Sequence, residues 1–309
     1  MTRILVTGAS GFIGRALVND FAVAGHSVRA AMRQPADVFP RSVEVVGVSD
    51  LTRPVEWRAL LKNIEAVVHL AGIAHTGPGI AEDVYDRVNR LATAELANAA
   101  HAMGLRRLIF MSSIRAQSGP TAGNALTEAD LPRPTDAYGR SKLAAEDAIR
   151  ASNVPFTILR PVLIYGSGVK GNLARLLELT ASRWPLPLGG LRNRRSLLAR
   201  QNLMEAIHLV LGSNTTAGQT YVVADPDPLT IAEIVAALRV GQDRRPRLLP
   251  IPAFAVEAAL TAMGHPEVWE RLGGRLEADP SKLQDAGWRP PVETRAGLAA
   301  MAREWSDAR

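Results

Sequence analysis

The sequence of 309 residues contains no cysteine. Disulfide bonds, thiolate nucleophiles and cysteine-ligated metal sites are therefore excluded. No Gly-x-x-x-x-Gly-Lys-Ser/Thr loop is present, so the phosphate cradle of P-loop nucleotide hydrolases is missing. The six histidines show no metal-ligand spacing, and we predict no metal site. Among them, only His75, just past a predicted strand, is a candidate for touching a substrate.

Long apolar runs and long basic runs are also absent. The longest apolar stretch, residues 253–263, contains Glu257 and is too short to span a membrane. The first predicted strand begins within a few residues of Met1, which leaves no room for a signal peptide. We therefore expect a cytoplasmic protein with no membrane partner.

The formal net charge is +6, which allows an anionic partner. The arginines are scattered, apart from two short groups at residues 192–195 and 244–247. This distribution does not favour nucleic acid, and a phosphorylated small molecule remains the expected ligand. Apolar residues make up 47% of the chain, which is enough for a sizeable core.

A glycine-rich segment at the start of the chain carries the first functional signal. Residues 4–6 form an apolar strand, Gly8, Gly11 and Gly14 follow at three-residue spacing, and an amphipathic helix continues from Arg15. A strand, a glycine turn and a helix open a dinucleotide-binding βαβ unit. Gly8 permits the tight turn, Gly11 permits close approach of a pyrophosphate, and Gly14 permits close packing of helix and strand.

Strands and helices alternate as far as residue 165, after which the sequence becomes rich in Leu, Arg and Pro. We predict an α/β fold, a Rossmann-type doubly wound parallel sheet with a smaller C-terminal α/β substrate lobe. We predict two domains, residues 1–165 and 166–309. A return of the chain to the first domain after residue 165 is left open. The main predicted strands are 27–32, 43–48, 66–72, 107–113 and 156–160, and the main predicted helices are 84–103 and 138–151.

Several residues are candidates for holding a dinucleotide. An acid at the end of the second strand would bind the ribose of NAD, but Arg33 stands there, which suits the phosphate of NADP or is an exposed loop residue. Asp50 either contacts the adenine or caps the next helix. Ala71 and Gly72 end a continuous apolar strand, where a cofactor can lie against the backbone.

Tyr138 and Lys142 lie four residues apart and share one face of a predicted helix. An adjacent ammonium favours the phenolate form of a tyrosine. Lys142 can also hydrogen-bond the nicotinamide ribose, and Ser113 on the preceding strand can bond the same substrate oxygen as Tyr138. Such a site removes a proton from a hydroxyl while nicotinamide takes the hydride.

These motifs together resemble the extended short-chain dehydrogenase/reductases, specifically the NAD(P)-dependent nucleotide-sugar epimerase/dehydratase family, in a UDP-glucose 4-epimerase-like form. The matching segments are residues 7–14, 69–72, 112–113, 138–142, 159–161, 164–166, 171–173, 195–203, 279–282 and 287–288. The resemblance implies that Tyr138 is the general acid/base, Lys142 its partner and Ser113 the orienting hydroxyl.

The resemblance also implies a cofactor, NAD or NADP, and a nucleotide-sugar substrate, here a UDP-sugar. The cofactor contacts that we expect are Gly8, Ser10, Gly11, Phe12, Ile13, Gly14, Arg33, Asp50, Leu51, Leu70, Ala71, Gly72, Asn89, Tyr138, Lys142 and Pro161. The expected substrate contacts are Ser113, Asn172, Leu173 and Arg195, with Arg271 or Arg275 as a second phosphate-pairing arginine. The resemblance further implies a homodimer that forms through helices 84–103 and 138–151.

Three positions depart from the family pattern. The acid at the end of the second strand is missing, Gln117 replaces a common tyrosine, and residues 200–202 (Arg-Gln-Asn) replace a segment that usually holds an aspartate. The family also includes dehydratases, which use an acid beside the serine. Ile114 and Arg115 stand there instead and argue against that reaction.

Three functions follow as hypotheses. The first is epimerisation at C4 of a UDP-sugar through a transient 4-keto intermediate with tightly held cofactor. The second is NADPH-dependent reduction of a nucleotide 4-keto-sugar for polysaccharide precursors, which the missing acid and Arg33 favour. The third is a non-catalytic NAD(P)-sensing protein, against which the presence of Ser113, Tyr138 and Lys142 argues.

Overall fold

A computed structural model of the chain describes residues 1–74 and 79–309, with only the backbone described at Pro266, Glu267, Glu270 and Arg271. The strands are β1 Arg3–Thr7, β2 Ser27–Met32, β3 Glu44–Gly47, β4 Ala66–His69, β5 Arg107–Met111, β6 Phe156–Pro161, β7 Leu163–Tyr165, β8 Arg194–Arg195, β9 Leu197–Ala199, β10 Gln219–Val223 and β11 Leu229–Thr230. The α-helices are α1 Phe12–Val23, α2 Trp57–Leu61, α3 Glu82–Tyr85, α4 Ala92–Ala102, α5 Ala137–Ala151, α6 Asn172–Thr180, α7 Arg200–Gly212, α8 Ile231–Gly241, α9 Ala253–Ala262, α10 Pro266–Gly273, α11 Ser281–Asp285 and α12 Thr294–Asp307.

The central sheet has seven strands in the order β10-β6-β5-β4-β1-β2-β3. β1 pairs in parallel with β2 and β4, and the pairs β2–β3, β4–β5 and β5–β6 are parallel as well. Every residue of β4 and β5 is buried, as expected for strands covered on both faces. The strand order reverses direction between β1 and β4, and ligands of doubly wound sheets bind outside the carboxyl ends of the strands at this point. The predicted Rossmann-type sheet is confirmed.

The predicted strands agree with the structure to within three residues at their ends, and the largest difference is at β4. The prediction of one regular helix over residues 84–103 is wrong. Two α-helices, α3 and α4, are joined there by a π-helical segment, Asp86–Leu91. A π-helical turn widens the helix and changes the direction of its side chains, and such turns are frequent at functional sites.

The chain divides into two compact units. Unit 1 comprises residues 1–119, 128–161 and 206–221, and unit 2 comprises residues 120–127, 162–205 and 222–309. The boundary predicted at residue 165 differs from this division at residues 120–127 and 162–165, and residues 206–221 are a return of the chain to the first unit. Two two-stranded sheets, β11–β8 and β7–β9, lie in unit 2.

Unit 2 has its own apolar core, which includes Leu177, Leu191, Val235 and Leu298. Its helix α8 begins with a capping box, in which Thr230 and Glu233 bond each other's backbone amides. Among the described residues, no helix has the length and the apolar character needed to cross a membrane.

Candidate active site

The glycine turn between β1 and α1 accepts only glycine at two of its positions. Gly8 has a φ of +68°, and a Cβ atom on it would lie 2.8 Å from the amide nitrogen of Ala71. A Cβ atom on Gly14 would lie 2.2 Å from the carbonyl oxygen of Gly8. No side chain caps the N-terminus of α1, which begins at Phe12. The turn therefore directs the positive end of a twelve-residue helix toward the carboxyl edge of the sheet, where an anion is stabilised.

Beside this turn, the buried end of β4 is held by a chain of hydrogen bonds. His69 bonds the hydroxyl of Thr7 through Nδ1 at 2.7 Å and the hydroxyl of Thr93 through Nε2 at 3.1 Å. Its ring stacks on that of Phe110 at a centroid distance of 5.9 Å. Burial lowers the pKa of His69 to about 3, so the imidazole is neutral at physiological pH. The neutral imidazole therefore has a structural role, since it links β4 to β1 and α4.

The loop after β4 is fastened by Asn89, which lies in the π-helical segment. Its amide nitrogen donates to the carbonyl oxygen of Ile73 at 3.0 Å and to the hydroxyl of Ser141 at 3.0 Å. Its amide oxygen accepts from the backbone nitrogen of Ile73 at 2.9 Å. The same oxygen lies 2.8 Å from where a Cβ of Gly72 would be. Asn89, predicted as a cofactor contact, thus shapes the loop of Ala71 and Gly72 against which we expect the cofactor to lie.

Ser113 and Tyr138 come together as predicted. Their side chains are hydrogen-bonded, and the Ser113 hydroxyl also accepts the backbone N–H of Arg115 at 3.2 Å. Asp136 caps α5 through the backbone N–H of Gly139 at 2.7 Å, which fixes the first turn that carries Tyr138. Burial raises the pKa of the Tyr138 phenol, and the bond with Ser113 opposes that rise.

Lys142 lies one turn further along α5 and is almost fully buried. Its ammonium donates to the carbonyl oxygen of Met111 at 2.9 Å and lies 4.8 Å from the centroid of the Phe110 ring. Burial lowers the pKa of Lys142 to about 8, against the opposing charge of Glu146. The sequence predicted that this ammonium would favour the Tyr138 phenolate, whereas burial dominates and raises the pKa of the phenol. The side chain of Lys142 extends to the end of β5, where its ammonium bonds Met111.

Glu146 and Arg160 form a buried network that the sequence analysis missed. The Glu146 carboxylate accepts two bonds from the Arg160 guanidinium, at 2.9 and 2.6 Å, and one from the Ser112 hydroxyl at 2.6 Å. Arg160 also donates to the side-chain oxygen of Gln117 at 2.7 Å. The network joins the ends of β5 and β6 to α5, and it gives Gln117, where the family has a tyrosine, a structural part.

Arg33 and Asp50 lie at the exposed edge beyond β2 and β3. The Asp50 carboxylate accepts the backbone N–H of Thr52 at 2.9 Å, and this bond lowers the pKa of Asp50, with a smaller contribution from the Arg33 guanidinium. The alternative that Asp50 caps the following helix is wrong, because α2 begins only at Trp57. The two side chains are therefore near one another in unit 1.

The remaining predicted cofactor contacts also belong to unit 1. Ser10 is exposed in the glycine turn, Phe12 and Ile13 open α1, Leu70 follows β4, and the buried Leu51 and Pro161 lie after β3 and at the end of β6. The carboxyl ends of β1, β4, β5 and β6 thus bring together most of the residues predicted from the sequence.

The predicted phosphate-binding residues belong to unit 2. Asn172 is the first residue of α6, the buried Leu173 follows it, and Arg195 ends β8. Arg275 is engaged by Glu277, whose carboxylate lies 2.7 Å from its Nε. The side chain of Arg271, the other candidate, is outside the described part of the structure, as is His75.

The segment 200–202, which departs from the family pattern, stabilises unit 2. The Asn202 amide donates to the Asp225 carboxylate at 2.7 Å and to the carbonyl oxygen of Val292 at 2.8 Å. Arg200 donates to the carbonyl oxygen of Ser167 at 2.8 Å. The amide of Asn202 thus joins three separate parts of the chain.

Comparison with known proteins agrees with this geometry. Residues 4–224 match the model of the NAD dependent epimerase/dehydratase family. The chain belongs to this family. Its members are NAD(P)-dependent enzymes, and the extended short-chain dehydrogenase/reductase resemblance is confirmed.

Among its relatives is the UDP-glucose 4-epimerase of Vibrio cholerae, which is 32% identical over 99% of this chain and 96% of the relative. The ceramide reductase of Caulobacter vibrioides is also 32% identical, over 87% of this chain and 78% of that protein. A solved structure of MoeE5 in complex with UDP-glucose and NAD matches with a TM-score of 0.76 and 26% identity, and it covers 99% of both chains. These proteins span essentially the same length as this chain or somewhat more.

Proposed function

We propose that this protein is an NAD(P)-dependent epimerase that inverts C4 of a UDP-sugar through a transient 4-keto intermediate. One observation supports this most directly: Ser113 and Tyr138 are hydrogen-bonded, and the buried Lys142 lies one helical turn away. This group lies in the same unit as the glycine turn, at the carboxyl ends of β4 and β5. The similarity to a UDP-glucose 4-epimerase over nearly the whole chain supports the same reaction.

The glycine turn fits a dinucleotide. A side chain at Gly8 or Gly14 would collide with the backbone, and the uncapped α1 offers its N-terminal amides to a pyrophosphate. Gly8, Ser10, Gly11, Phe12, Ile13 and Gly14 would hold this group, with Leu70, Ala71 and Gly72 against the nicotinamide half. A bound nicotinamide would supply the hydride acceptor and donor that reaction at C4 needs.

In this mechanism, Tyr138 removes the proton of the C4 hydroxyl as the C4 hydrogen departs, and it returns the proton to the keto oxygen in the reverse step. Ser113 donates a hydrogen bond to the same oxygen and holds it beside the phenol. Lys142, whose ammonium is held at the carbonyl oxygen of Met111, would orient the ribose of the cofactor. Burial of both side chains strengthens these interactions, because water no longer screens them.

We propose that the nucleotide diphosphate is bound by Asn172, Leu173 and Arg195. Asn172 lies at the N-terminus of the nine-residue helix α6, which no side chain caps, and backbone amides at such a terminus favour phosphate. The fork-shaped guanidinium of Arg195 suits a phosphate pair. Arg271 or Arg275 would supply a second phosphate contact, as the family resemblance implies, and Arg275 would have to leave Glu277 to do so.

The homodimer and the cytoplasmic location are part of the same proposal. The two helices that the family resemblance assigns to the dimer, α4 and α5, pack against each other in unit 1. Two such helices from each protomer would form a four-helix bundle, which is a common way to bury apolar faces between copies.

A cofactor-free assay tests the reaction. The purified protein is incubated with UDP-glucose, UDP-N-acetylglucosamine or UDP-glucuronic acid, the products are identified by proton NMR, and the nucleotide released by denaturation is identified by mass spectrometry. We expect the C4 epimer to form without added cofactor, with NAD retained on the protein. The opposite result is an empty cofactor site and reduction of a nucleotide 4-keto-sugar only when NADPH is added. That result would show that the protein is a reductase and not an epimerase.

A further inference from the structure

Unit 2 contains a basic pocket away from the residues assigned above. Its volume is about 280 Å³, and it is lined by Ser182, Arg183, Arg239, Asp243, Arg244, Arg245 and Arg247. Five of these seven residues are arginines and one is an acid. The three arginines of the 244–247 segment belong to the short basic group seen in the sequence, for which the epimerase reaction has no use.

The pocket is held in shape by Arg239, which is 1% exposed. Its guanidinium donates to the carbonyl oxygens of Trp184 at 2.7 Å, Ser182 at 3.1 Å and Pro246 at 2.8 Å. These bonds fasten the 182–184 loop to the arginine segment. Because the backbone is fixed at both places, the exposed arginines are kept together instead of spreading apart by repulsion.

An apolar groove lies next to the basic pocket. Its volume is about 330 Å³, and every residue that lines it is aliphatic, alanine, proline or methionine; Leu179, Leu186, Ile251, Leu260 and Met263 are among them. Two large side chains near it are strongly exposed, Trp184 at 78% and Phe254 at 74%. Exposed aromatic residues beside an open apolar groove indicate an interaction surface.

The groove and the pocket are lined by neighbouring stretches of the chain, residues 176–188 and 251–272 for the groove and residues 182–183 and 239–247 for the pocket. Ser182 and Arg183 of the pocket lie between Leu179 and Leu186 of the groove. These stretches are joined by bonds from the Leu186 amide to the Arg247 carbonyl oxygen at 3.1 Å and from the Leu249 amide to the Leu186 carbonyl oxygen at 2.9 Å. The basic and apolar parts therefore form one continuous surface, which we call the basic–apolar face.

We propose that the basic–apolar face docks the enzyme on an anionic lipid membrane. The exposed arginines would contact lipid phosphates, while Trp184, Phe254 and the groove would enter the boundary between headgroups and acyl chains, where amphipathic aromatic rings are favoured. A second copy of this chain is a poorer occupant, since a two-fold contact would bring the arginine clusters of both copies toward each other. This proposal departs from the sequence-based expectation of no membrane partner, which rested on the absence of a spanning segment and on arginines that are mostly scattered.

Vesicle binding tests this proposal. The full chain is sedimented with vesicles of phosphatidylcholine alone or with 30% phosphatidylglycerol, beside the triple variant R244Q/R245Q/R247Q. We expect the wild type to bind only the anionic vesicles, and salt should weaken this binding. The triple variant should bind roughly 100-fold more weakly, because each arginine contributes about fivefold. The control R41Q/R58Q/R303Q removes the same charge from exposed positions elsewhere and should bind like the wild type.

Tryptophan fluorescence adds a readout of insertion. We expect a blue shift on anionic vesicles that is strongly reduced in W184F, since Trp57 and Trp288 are buried and Trp269 and Trp305 are partly buried in the protein. Failure of the wild type to bind anionic vesicles, or equal loss in both triple variants, would overturn the proposal. So would an oligomer that dissociates in R244Q/R245Q/R247Q, because it would make the face an interface between copies. Turnover of soluble UDP-sugars should be unchanged in these variants, so the outcome is independent of the proposed reaction.

Discussion

Tyr138 is the residue on which the proposed chemistry depends most. Tyr138→Phe keeps the ring and removes the hydroxyl that Ser113 bonds. We expect kcat to fall by roughly 10²–10⁴, the usual contribution of a general acid/base, with cofactor still bound. Turnover of UDP-sugar and mass spectrometry of the retained nucleotide measure both effects. Tyr221→Phe, the same change in a buried tyrosine of β10, is the control, and a fully active Y138F enzyme would refute the assignment.

Arg33 decides the prediction of cofactor preference. Its guanidinium is exposed beyond β2 and close enough to Asp50 to lower the pKa of that carboxyl. If Arg33 pairs with the ribose phosphate of NADP, Arg33→Ala should weaken NADPH binding about tenfold or more and leave NADH binding nearly unchanged. Titration calorimetry with both nucleotides measures this difference, with Arg41→Ala as the control. Equal weakening of NADPH and NADH binding would show that Arg33 does not contact the phosphate.

The first helix and strand of the glycine motif were predictable because each signal is local. Gly8 and Gly14 are needed by the turn itself, and the apolar residues of β1 are consecutive. Ser113 and Tyr138 could be paired because Ser113 ends the predicted strand that precedes the helix of Tyr138, and the family pattern links the same two positions. The buried bonds of Glu146 could not be predicted, since its partners Ser112 and Arg160 are 34 and 14 residues away.

At the scale of elements, α5 organises the site. Tyr138, Lys142 and Glu146 recur every four residues and share one face, and Glu146 ties that face to β5 and β6 through Ser112 and Arg160. Glu146 is thus a positioning residue. It acts through Lys142 and Tyr138, which lie one and two turns before it on α5. Its negative charge also raises the pKa of Lys142, against the larger effect of burial.

The pH profile of Glu146→Gln tests this arrangement. Lys142 is protonated below about pH 8 and loses its charge as the pH rises through its pKa, so activity should fall on the alkaline side of that value. Glutamine retains the size of the side chain and removes the charge that raises the pKa of Lys142. The alkaline limb should therefore move to lower pH, and kcat should change more than KM.

Asp147→Asn is the matched control for this variant. Asp147 is the next residue, and its side chain is 67% exposed, so the same loss of charge is screened by water. Its pH profile should follow that of the wild type. Thermal unfolding of both variants shows whether the fold is retained. An unmoved alkaline limb in a folded E146Q enzyme would exclude the proposed effect on Lys142.

The π-helical segment shows where element prediction from the sequence ends. Residues 84–103 have continuous helical spacing, and nothing in that pattern indicates an inserted residue. The widened turn accompanies the bonds of Asn89 to Ile73 and Ser141, which are contacts between distant parts of the chain. Helical periodicity reports burial along one face, and it does not report such tertiary bonds.

At the scale of the whole molecule, the division into two units follows contacts that cross the sequence. Residues 206–221 join unit 1, where Arg107 donates to the carbonyl oxygen of Val210 and to the hydroxyl of Thr216. Residues 120–127 join unit 2, where the Ala122 and Leu126 amides bond the carbonyl oxygens of Arg275 and Glu277. A change in composition near residue 165 predicts a boundary, but it cannot show these returns of the chain.

The assembly state is a prediction at this scale. Multi-angle light scattering should give the mass of two chains of 33.2 kDa, because α4 and α5 are the helices expected to pair between protomers. Charge reversal on the exposed outer side of these helices should produce monomers, whereas R244Q/R245Q/R247Q should leave the dimer intact. A monomer at micromolar concentration would contradict the family-based dimer.

The fate of the hydrogen at C4 tests the central claim most directly. UDP-glucose that carries deuterium at C4 is incubated in ordinary water with the purified enzyme and no added cofactor, and the product is examined by NMR and mass spectrometry. We predict UDP-galactose that retains deuterium at C4, because the hydrogen leaves and returns as a hydride within one closed site. Exchange of that deuterium with solvent, or the absence of a C4 epimer from each of the three UDP-sugars named above, would contradict the proposed mechanism.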